Sequence, residues 1–261
     1  MSVRSALKLF GLMRPAACRL RRWMEGEVAG RGITACQAME LMGRTMSLDS
    51  TISVLRWAKA RMVVRQGPKC VADQFAGLGV ASIAMSEVWP EAETTVMSEK
   101  IESAQRCLRV CYPDAEVREK AESQLPAGLW AVVAGFPCEC HSPLTDVDFG
   151  KIKDSVALLR AALTWEQGSE PHLIVLENSA GILRAGFQHV NEMLLSHFHR
   201  FEWAVGIVEP CVHNNVPMSR ERVFWVGIRR DVHAGEPNGT DAPVPGYGTA
   251  VPRRRSALYD P

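Results

Sequence analysis

The amino-acid sequence predicts an α/β fold, a Rossmann-like doubly wound and mostly parallel sheet with one antiparallel strand pair. From Lys69 onward, short apolar runs alternate with amphipathic segments of helical spacing, and this alternation is typical of parallel βαβ units. A glycine-rich turn follows the first apolar run, as in folds that bind nucleotides at the carboxyl ends of their strands. With 261 residues, of which 47% are hydrophobic, the chain is long enough to bury a full core.

The individual elements follow from local patterns. The predicted strands are short apolar runs, namely Cys70–Phe75, Thr94–Ser98, Glu116–Arg118, Leu129–Ala134, His172–Leu176, Phe201–Val208 and Arg222–Ile228. The predicted helices carry an apolar stripe, and they are Leu48–Ala60, Gly79–Val88, Ile101–Cys111, Asp154–Glu166 and Phe187–His197. The last two strands are joined by one loop, so we expect them to form the antiparallel pair.

The sequence divides into three parts. Residues 1–40 form a basic segment with no acidic residue between Met1 and Trp23; a surface helix, an organellar transit peptide and the remnant of a larger domain are the three interpretations. Residues 41–230 form the globular domain. Residues 231–261 are rich in Gly and Pro as far as Val251, and we expect them to be disordered.

Composition narrows the function classes. The formal net charge of +1 provides no global basic field, so any nucleic-acid surface must be local. No apolar run approaches the ~18 residues of a membrane span. The eight cysteines lack the dense spacing of a disulfide scaffold, which favours a reducing compartment, nuclear or cytoplasmic, and leaves organellar targeting open.

A cofactor site is predicted where the first strand turns into a helix. Residues 71–80 read VADQFAGLGV, and Gly77 and Gly79 allow a ligand to approach the backbone at the start of the helix. Glu99 ends the next strand about 20 residues further on, where such folds hold ribose hydroxyls. An ordinary structural turn is the alternative.

A cysteine stands in a loop directly after a buried strand. Residues 134–142 read AGFPCECHS and place Cys138 directly after Pro137. Open α/β sheets build active sites at the carboxyl ends of their strands, so the Cys138 thiol is a candidate nucleophile. An inert buried thiol is one alternative. The other is a zinc site, whose ligands would be Cys138, Cys140, His141, Cys211 and His213.

A carboxyl group and two arginines are the remaining candidate catalytic residues. Glu177 follows the apolar run Leu173–Leu176, and burial there is expected to raise its pKa, so that it carries a proton near neutral pH. Strand alternation places Arg220 and Arg222 on one face, where they would orient a substrate and lower the pKa of a nearby thiol. The alternatives are a carboxyl that caps the turn before Gly181 and two solvated arginines.

Together these motifs resemble those of the cytosine-5 methyltransferases in order and spacing. The cysteine loop is similar to the family's G-x-P-C-Q-x-x-S, with Glu139 in the place of the glutamine. The glycine turn resembles the family's S-adenosylmethionine loop in the form D-x-F-A-G-x-G. Glu177 and Asn178 resemble the motif E-N-V, and the two arginines resemble Q-x-R-x-R, with Met218 in the place of the glutamine. The resemblance covers residues 69–230.

The resemblance implies S-adenosyl-L-methionine as the cofactor and a sheet of the S-adenosylmethionine-dependent methyltransferase type, with residues 41–230 as the catalytic domain. The cofactor-binding residues it implies are Phe75, Gly77, Gly79, Glu99 and Pro137, and Glu99 would bind the ribose. The family's acid on the third strand stays open between Glu119 and Glu122.

For the reaction, the resemblance implies that Cys138 adds to C6 of cytosine while Glu177 engages N3 and the exocyclic amine. Arg220 and Arg222 would hold the base and the sugar-phosphate, and no metal is implied. The expected substrate is DNA with the target base flipped out of the duplex. A tRNA substrate is one alternative. A catalytically weak regulatory subunit is another, because a carboxylate at Glu139 opposes ionisation of the neighbouring thiol.

The chain departs from the family pattern at both ends. Only about 30 residues follow the arginine motif, too few for a target-recognition domain. Two interpretations follow: target choice comes from a separate partner subunit, or the enzyme is a fragment with weak sequence preference. Residues 42–47, which run into the helix Leu48–Ala60, resemble the family's closing segment G-N-x-V, with Arg44 in the place of the asparagine. Circular permutation is therefore one interpretation, and an ordinary capping turn is the other.

Overall fold

The computed structural model describes most of the chain, namely residues 5, 7–8, 10–30, 32–43, 46–63, 67–121, 124–137, 149–165, 168–184, 186–209, 221–234 and 247–248. The strands are β1 (Lys69–Gln74), β2 (Ala92–Ser98), β3 (Glu116–Arg118), β4 (Ala131–Gly135), β5 (Leu173–Ser179), β6 (Phe201–Val208), β7 (Arg222–Arg229) and β8 (Tyr247–Gly248). The helices are α1 (Cys18–Ala29), α2 (Ala35–Gly43), α3 (Leu48–Lys59), α4 (Val80–Val88), α5 (Glu102–Cys111), α6 (Phe149–Ala162) and α7 (Phe187–His197).

The eight strands that the described residues form belong to one sheet, in the order β3-β2-β1-β4-β5-β7-β6-β8. The strands β1 to β5 pair in parallel. The strand β7 lies antiparallel between β5 and β6. The predicted fold class is therefore confirmed, including the antiparallel pair of β6 and β7.

The sheet is covered on both faces because its central strands are apolar on both sides. In β4, Ala131 and Val133 lie in the hydrophobic cluster that contains α3 and α4. The intervening Val132 and Ala134 lie in the opposite cluster, with α6 and α7. Successive side chains of a strand point to opposite faces, and a strand that is apolar throughout is the pattern of a sheet buried on both sides.

Several element boundaries differ from the predicted ones, and the helix predicted over Asp154–Glu166 begins already at Phe149. The strand β1 ends at Gln74 because Phe75 has a φ of +57°, which a strand does not accommodate. The strand β5 continues to Ser179 because β7 pairs with it as far as Arg222. The helix α6 ends at Ala162, and two residues later the Thr164 carbonyl accepts a hydrogen bond from Leu125.

The basic amino-terminal segment packs onto the sheet. Leu12, Leu20 and Met24 are buried in the same cluster as Val71 of β1. Arg14 forms ion pairs with Asp49 of α3, at 2.6 Å, and with Glu87 of α4, at 3.0 Å. We therefore propose that residues 10–29 belong to the same folded unit as residues 41–230, which favours the helical interpretation of this segment.

Part of the carboxyl-terminal segment also belongs to the fold. The Val63 amide donates to the Val232 carbonyl at 2.8 Å, and the Ala234 amide donates to the Arg61 carbonyl at 2.8 Å. Within the segment that we expected to be disordered, β8 pairs with Val205 and Gly206 of β6, a strand that the sequence did not predict. Among the helices described, none is long and apolar enough to cross a membrane.

We predict that Leu12→Ala lowers the free energy of unfolding by about 2–5 kcal/mol, because it removes a fully buried side chain and leaves a cavity. The matched control is the neighbouring Met13→Ala, since Met13 is 37% exposed and its loss is expected to cost under about 0.5 kcal/mol. Urea denaturation of the full chain measures both changes. Equal effects would contradict a structural role for this segment.

Candidate active site

The carboxyl edge of the parallel strands holds several of the predicted site residues. Gln74, the last residue of β1, pairs with Ala134 of β4. On the other side of β4, Gly135 pairs with Glu177 of β5. The glycine turn, the beginning of the cysteine loop and the candidate acid therefore lie on three adjacent strands at one edge, where ligands bind in open α/β sheets.

The turn after β1 is tightly constrained. Phe75, Gly77 and Gly79 have φ values of +57°, +55° and +72°, and such a φ in an aromatic residue is a strained conformation that concentrates at functional sites. A Cβ atom on Gly79 would lie 2.7 Å from Cε2 of Tyr112. The Tyr112 hydroxyl also donates to the Gly79 carbonyl at 2.8 Å, so both conformation and space require glycine at this position.

Glu99 is tied directly to the glycine turn. Its Oε2 atom accepts a hydrogen bond from the Gly77 amide at 2.9 Å, and its Oε1 atom accepts one from the Ile101 amide at 2.8 Å. Each carboxylate oxygen has more than one lone pair, so both can still accept hydroxyl donors of a ribose. Glu99, the residue predicted to bind the ribose, thus lies beside the glycine turn predicted to bind the cofactor. These residues fit a nucleoside cofactor.

Asp73, the first residue of the motif D-x-F-A-G-x-G, has a buried carboxyl group for which the sequence pattern predicted no role. Its Oδ2 atom accepts hydrogen bonds from the Ser82 hydroxyl at 2.8 Å and the Ser82 amide at 3.3 Å. Ser82 lies in the first turn of α4, so Asp73 caps that helix from β1. Burial raises the pKa of Asp73 to about 7.

The acid Glu177 forms an ion pair with one of the predicted arginines. The Arg222 Nε atom lies 2.7 Å from Oε1 of Glu177, and the two side chains are only 14% and 10% exposed. We expected burial to keep a proton on Glu177 and Arg222 to act near the thiol. The guanidinium thus places a positive charge beside the buried carboxyl group.

Met46 from the amino-terminal part of the chain reaches the same edge. A Cβ atom on Gly135 would lie 2.6 Å from Cε of Met46 and 3.4 Å from Oε2 of Glu177. A cavity here is lined by Met46, Phe75, Ala76, Gly77, Val80, Ala81, Gly135 and Glu177. The next residue, Ser47, caps α3 by accepting a hydrogen bond from the Ser50 amide.

Several predicted residues lie outside the described part of the chain. They are Arg44, Glu122, Cys138, Glu139, Cys140, His141, Cys211, His213, Met218 and Arg220. Of the candidates for the third-strand acid, Glu119 is described, and it is exposed just after β3. Among the described residues, no group of three or more His, Cys, Asp or Glu side chains could hold a metal ion.

The profile of the C-5 cytosine-specific DNA methylase family matches residues 70–245, more than half of the chain. The chain belongs to this family. A comparison with curated protein sequences gives no match. The cytosine-5 methylases are S-adenosylmethionine-dependent, which agrees with the glycine turn and Glu99.

Solved structures of other proteins are similar to part of this chain. A triple mutant of Spodoptera frugiperda DNMT2 has a TM-score of 0.50 and 16% sequence identity, over 62% of this chain and 50% of that chain. A prophage-encoded Escherichia coli protein described as a DNA modification methyltransferase has a TM-score of 0.49 and 15% identity, over 62% and 47%. Entamoeba histolytica EhMeth has a TM-score of 0.49 and 16% identity, over 62% and 53%. The chain thus spans about half the length of these structures.

We predict that Asp73→Asn removes a pH dependence of stability. The raised pKa means that folded Asp73 holds a proton between pH about 4 and about 7 that the unfolded chain releases. Wild-type stability should therefore fall as pH rises through this range, by up to about 1.4 kcal/mol per pH unit. Urea denaturation between pH 4.5 and 8 measures it. The control is Asp114→Asn, at an exposed carboxyl, and an Asp73→Asn profile parallel to wild type would contradict the assignment.

Proposed function

We propose that the chain transfers a methyl group from S-adenosyl-L-methionine to C5 of cytosine in DNA, through a covalent adduct between Cys138 and C6. The observation that supports this most is the pairing of Gly135 with Glu177. Cys138 follows Gly135 by three residues. The pairing therefore places the acid Glu177 next to the start of the loop that carries the nucleophile.

The cofactor would be held by Phe75, Gly77, Gly79, Glu99 and Pro137. Glu99 accepts the ribose hydroxyls, and the glycine turn brings backbone amides of the α4 amino terminus close to the ligand. When bound, S-adenosyl-L-methionine supplies an electrophilic methyl group.

The residues of the chain then activate cytosine, whose C5 atom is not nucleophilic enough to accept a methyl group on its own. The Cys138 thiolate forms a bond to C6, and the electron pair moves to C5, which becomes nucleophilic. Glu177 engages N3 and the exocyclic amine, and Arg222 holds the Glu177 carboxylate in place. After C5 is methylated, a base removes the C5 proton, and the bond between sulfur and C6 breaks. Arg220 contacts the base and the sugar-phosphate.

The substrate is DNA with the base flipped out of the stack, because the reacting atoms of a base inside a duplex are out of reach of an enzyme. The family description supports DNA. RNA is the second candidate, since the resemblance implies a tRNA-modifying branch.

The amino-terminal part would complete the cofactor pocket. Met46 contacts Gly135 and lines the cavity beside Phe75 and Gly77. The helix α3 follows directly, packs on α4 and leads into β1 through residues 60–68. We therefore propose that residues 42–47 are the relocated closing segment of a circularly permuted domain, in which Ser47 also caps α3.

We predict that a duplex containing 5-fluorocytosine traps the protein in the presence of S-adenosyl-L-methionine. Fluorine at C5 cannot leave as a proton, so elimination is blocked and the bond between sulfur and C6 persists. Denaturing gel electrophoresis detects the adduct. Cys138→Ala should abolish it, while the control Cys36→Ala, at an exposed cysteine of α2, should retain it.

The same experiment separates the alternatives. An adduct that survives in Cys138→Ala would contradict the assignment of the nucleophile. An adduct on 5-fluorocytosine RNA but not on DNA would make RNA the substrate. No adduct on either, with S-adenosyl-L-methionine bound, would favour the regulatory subunit.

A further inference from the structure

A serine of α6 contacts the base of the cysteine loop. The Ser155 hydroxyl donates a hydrogen bond to the Pro137 carbonyl at 3.1 Å. Ser155 is only 7% exposed, so this hydrogen bond forms away from bulk water. It joins two residues that are 18 positions apart, one on each side of the segment that contains Cys138.

This contact differs from those of three other helical serines and resembles that of Ser82, whose hydroxyl donates to Asp73 of β1. The hydroxyls of Ser53, Ser86 and Ser196 donate to carbonyls of their own helices, which is the usual partner for a serine in a helix. Ser155 donates to a residue outside its helix instead. The position of its hydroxyl therefore links α6 to the edge of the sheet rather than stabilising α6 itself.

A second hydrogen bond holds the preceding carbonyl. The Nδ2 atom of Asn178 donates to the Phe136 carbonyl at 3.2 Å, and its Oδ1 atom accepts from the Ser179 amide at 2.8 Å. Asn178 is 1% exposed, and the two contacts orient its amide from both ends. Two successive carbonyls before Cys138 are thus held, one from β5 and one from α6.

Covalent geometry carries this constraint to the cysteine. The peptide group is planar, so the carbonyl oxygen of Pro137, the amide nitrogen of residue 138 and its Cα atom share one plane. The proline ring also fixes the φ angle of Pro137 near −65°. A hydrogen bond to the Pro137 oxygen therefore restricts the direction in which the chain enters Cys138.

We propose that Ser155 is a positioning residue for Cys138, holding the peptide plane through which the nucleophile is attached. The proposal rests on the proposed function for the role of Cys138. Because Ser155 acts through Pro137, its loss should slow the attack of sulfur on C6 without weakening the binding of nucleic acid. A misplacement of about 1 Å at a reacting atom costs on the order of 100-fold in rate.

The test compares Ser155→Ala, Ser155→Thr and Ser155→Val with wild type and with the control Ser86→Ala. Thr and Val have the same shape and differ by the hydroxyl, so this pair isolates the hydrogen bond even if Ser155→Ala unfolds. The first readout is the rate of adduct formation on the 5-fluorocytosine duplex at saturating S-adenosyl-L-methionine. We expect a loss of 10- to 100-fold in the Ala and Val variants, with Thr retaining most of the rate. The apparent affinity for the duplex should change less than threefold.

The second readout needs no catalytic activity. Iodoacetamide alkylation, followed by mass spectrometry, gives the rate at Cys138 relative to the exposed Cys36 of the same molecule. Ala and Val should change this ratio at least threefold, whereas Thr and Ser86→Ala should leave it within twofold of wild type. Equal ratios and equal adduct rates for Thr and Val would overturn the proposal. A wild type without an adduct would instead overturn the proposed function, and the alkylation ratios would still test the positioning.

Discussion

The parallel pairing of β1, β4 and β5 is the constraint on which the rest of the site depends. It aligns Gln74 with Ala134 and Gly135 with Glu177, so that three chain segments leave the sheet at the same level. The pairing itself is stabilised by apolar side chains on both faces of these strands. Residues that are more than 100 positions apart thereby share one edge.

That edge contains three carboxyl groups, and each is accommodated by a different physical means. Glu99 accepts two backbone amides. Asp73 accepts two hydrogen bonds from Ser82 and has a raised pKa, which reduces the cost of its burial. Glu177 forms an ion pair with the Arg222 guanidinium. Each of these carboxyl groups therefore has its own hydrogen-bond or ion-pair partners.

Local sequence patterns predicted the fold class, the strand order along the chain and the position of Glu177 and Glu99 near the sheet edge. These predictions were possible because hydrophobic periodicity and glycine turns are local signals, which can be read from short stretches of sequence. The patterns did not predict the ion pair of Glu177 with Arg222, which requires β7 to insert between β5 and β6. Nor did they predict the contact of Met46 with Gly135 or the burial of Leu12, since both arise from packing between distant segments.

The central claim is that this edge binds a nucleoside cofactor between the glycine turn and Glu177. Isothermal titration of the full chain with S-adenosyl-L-homocysteine, the demethylated product, tests it most directly. The account predicts one site per chain, and a binding constant at least about tenfold weaker in Glu99→Gln, which loses an acceptor for the ribose hydroxyls. Absence of binding by the folded wild type, or equal affinity in Glu99→Gln, would contradict it.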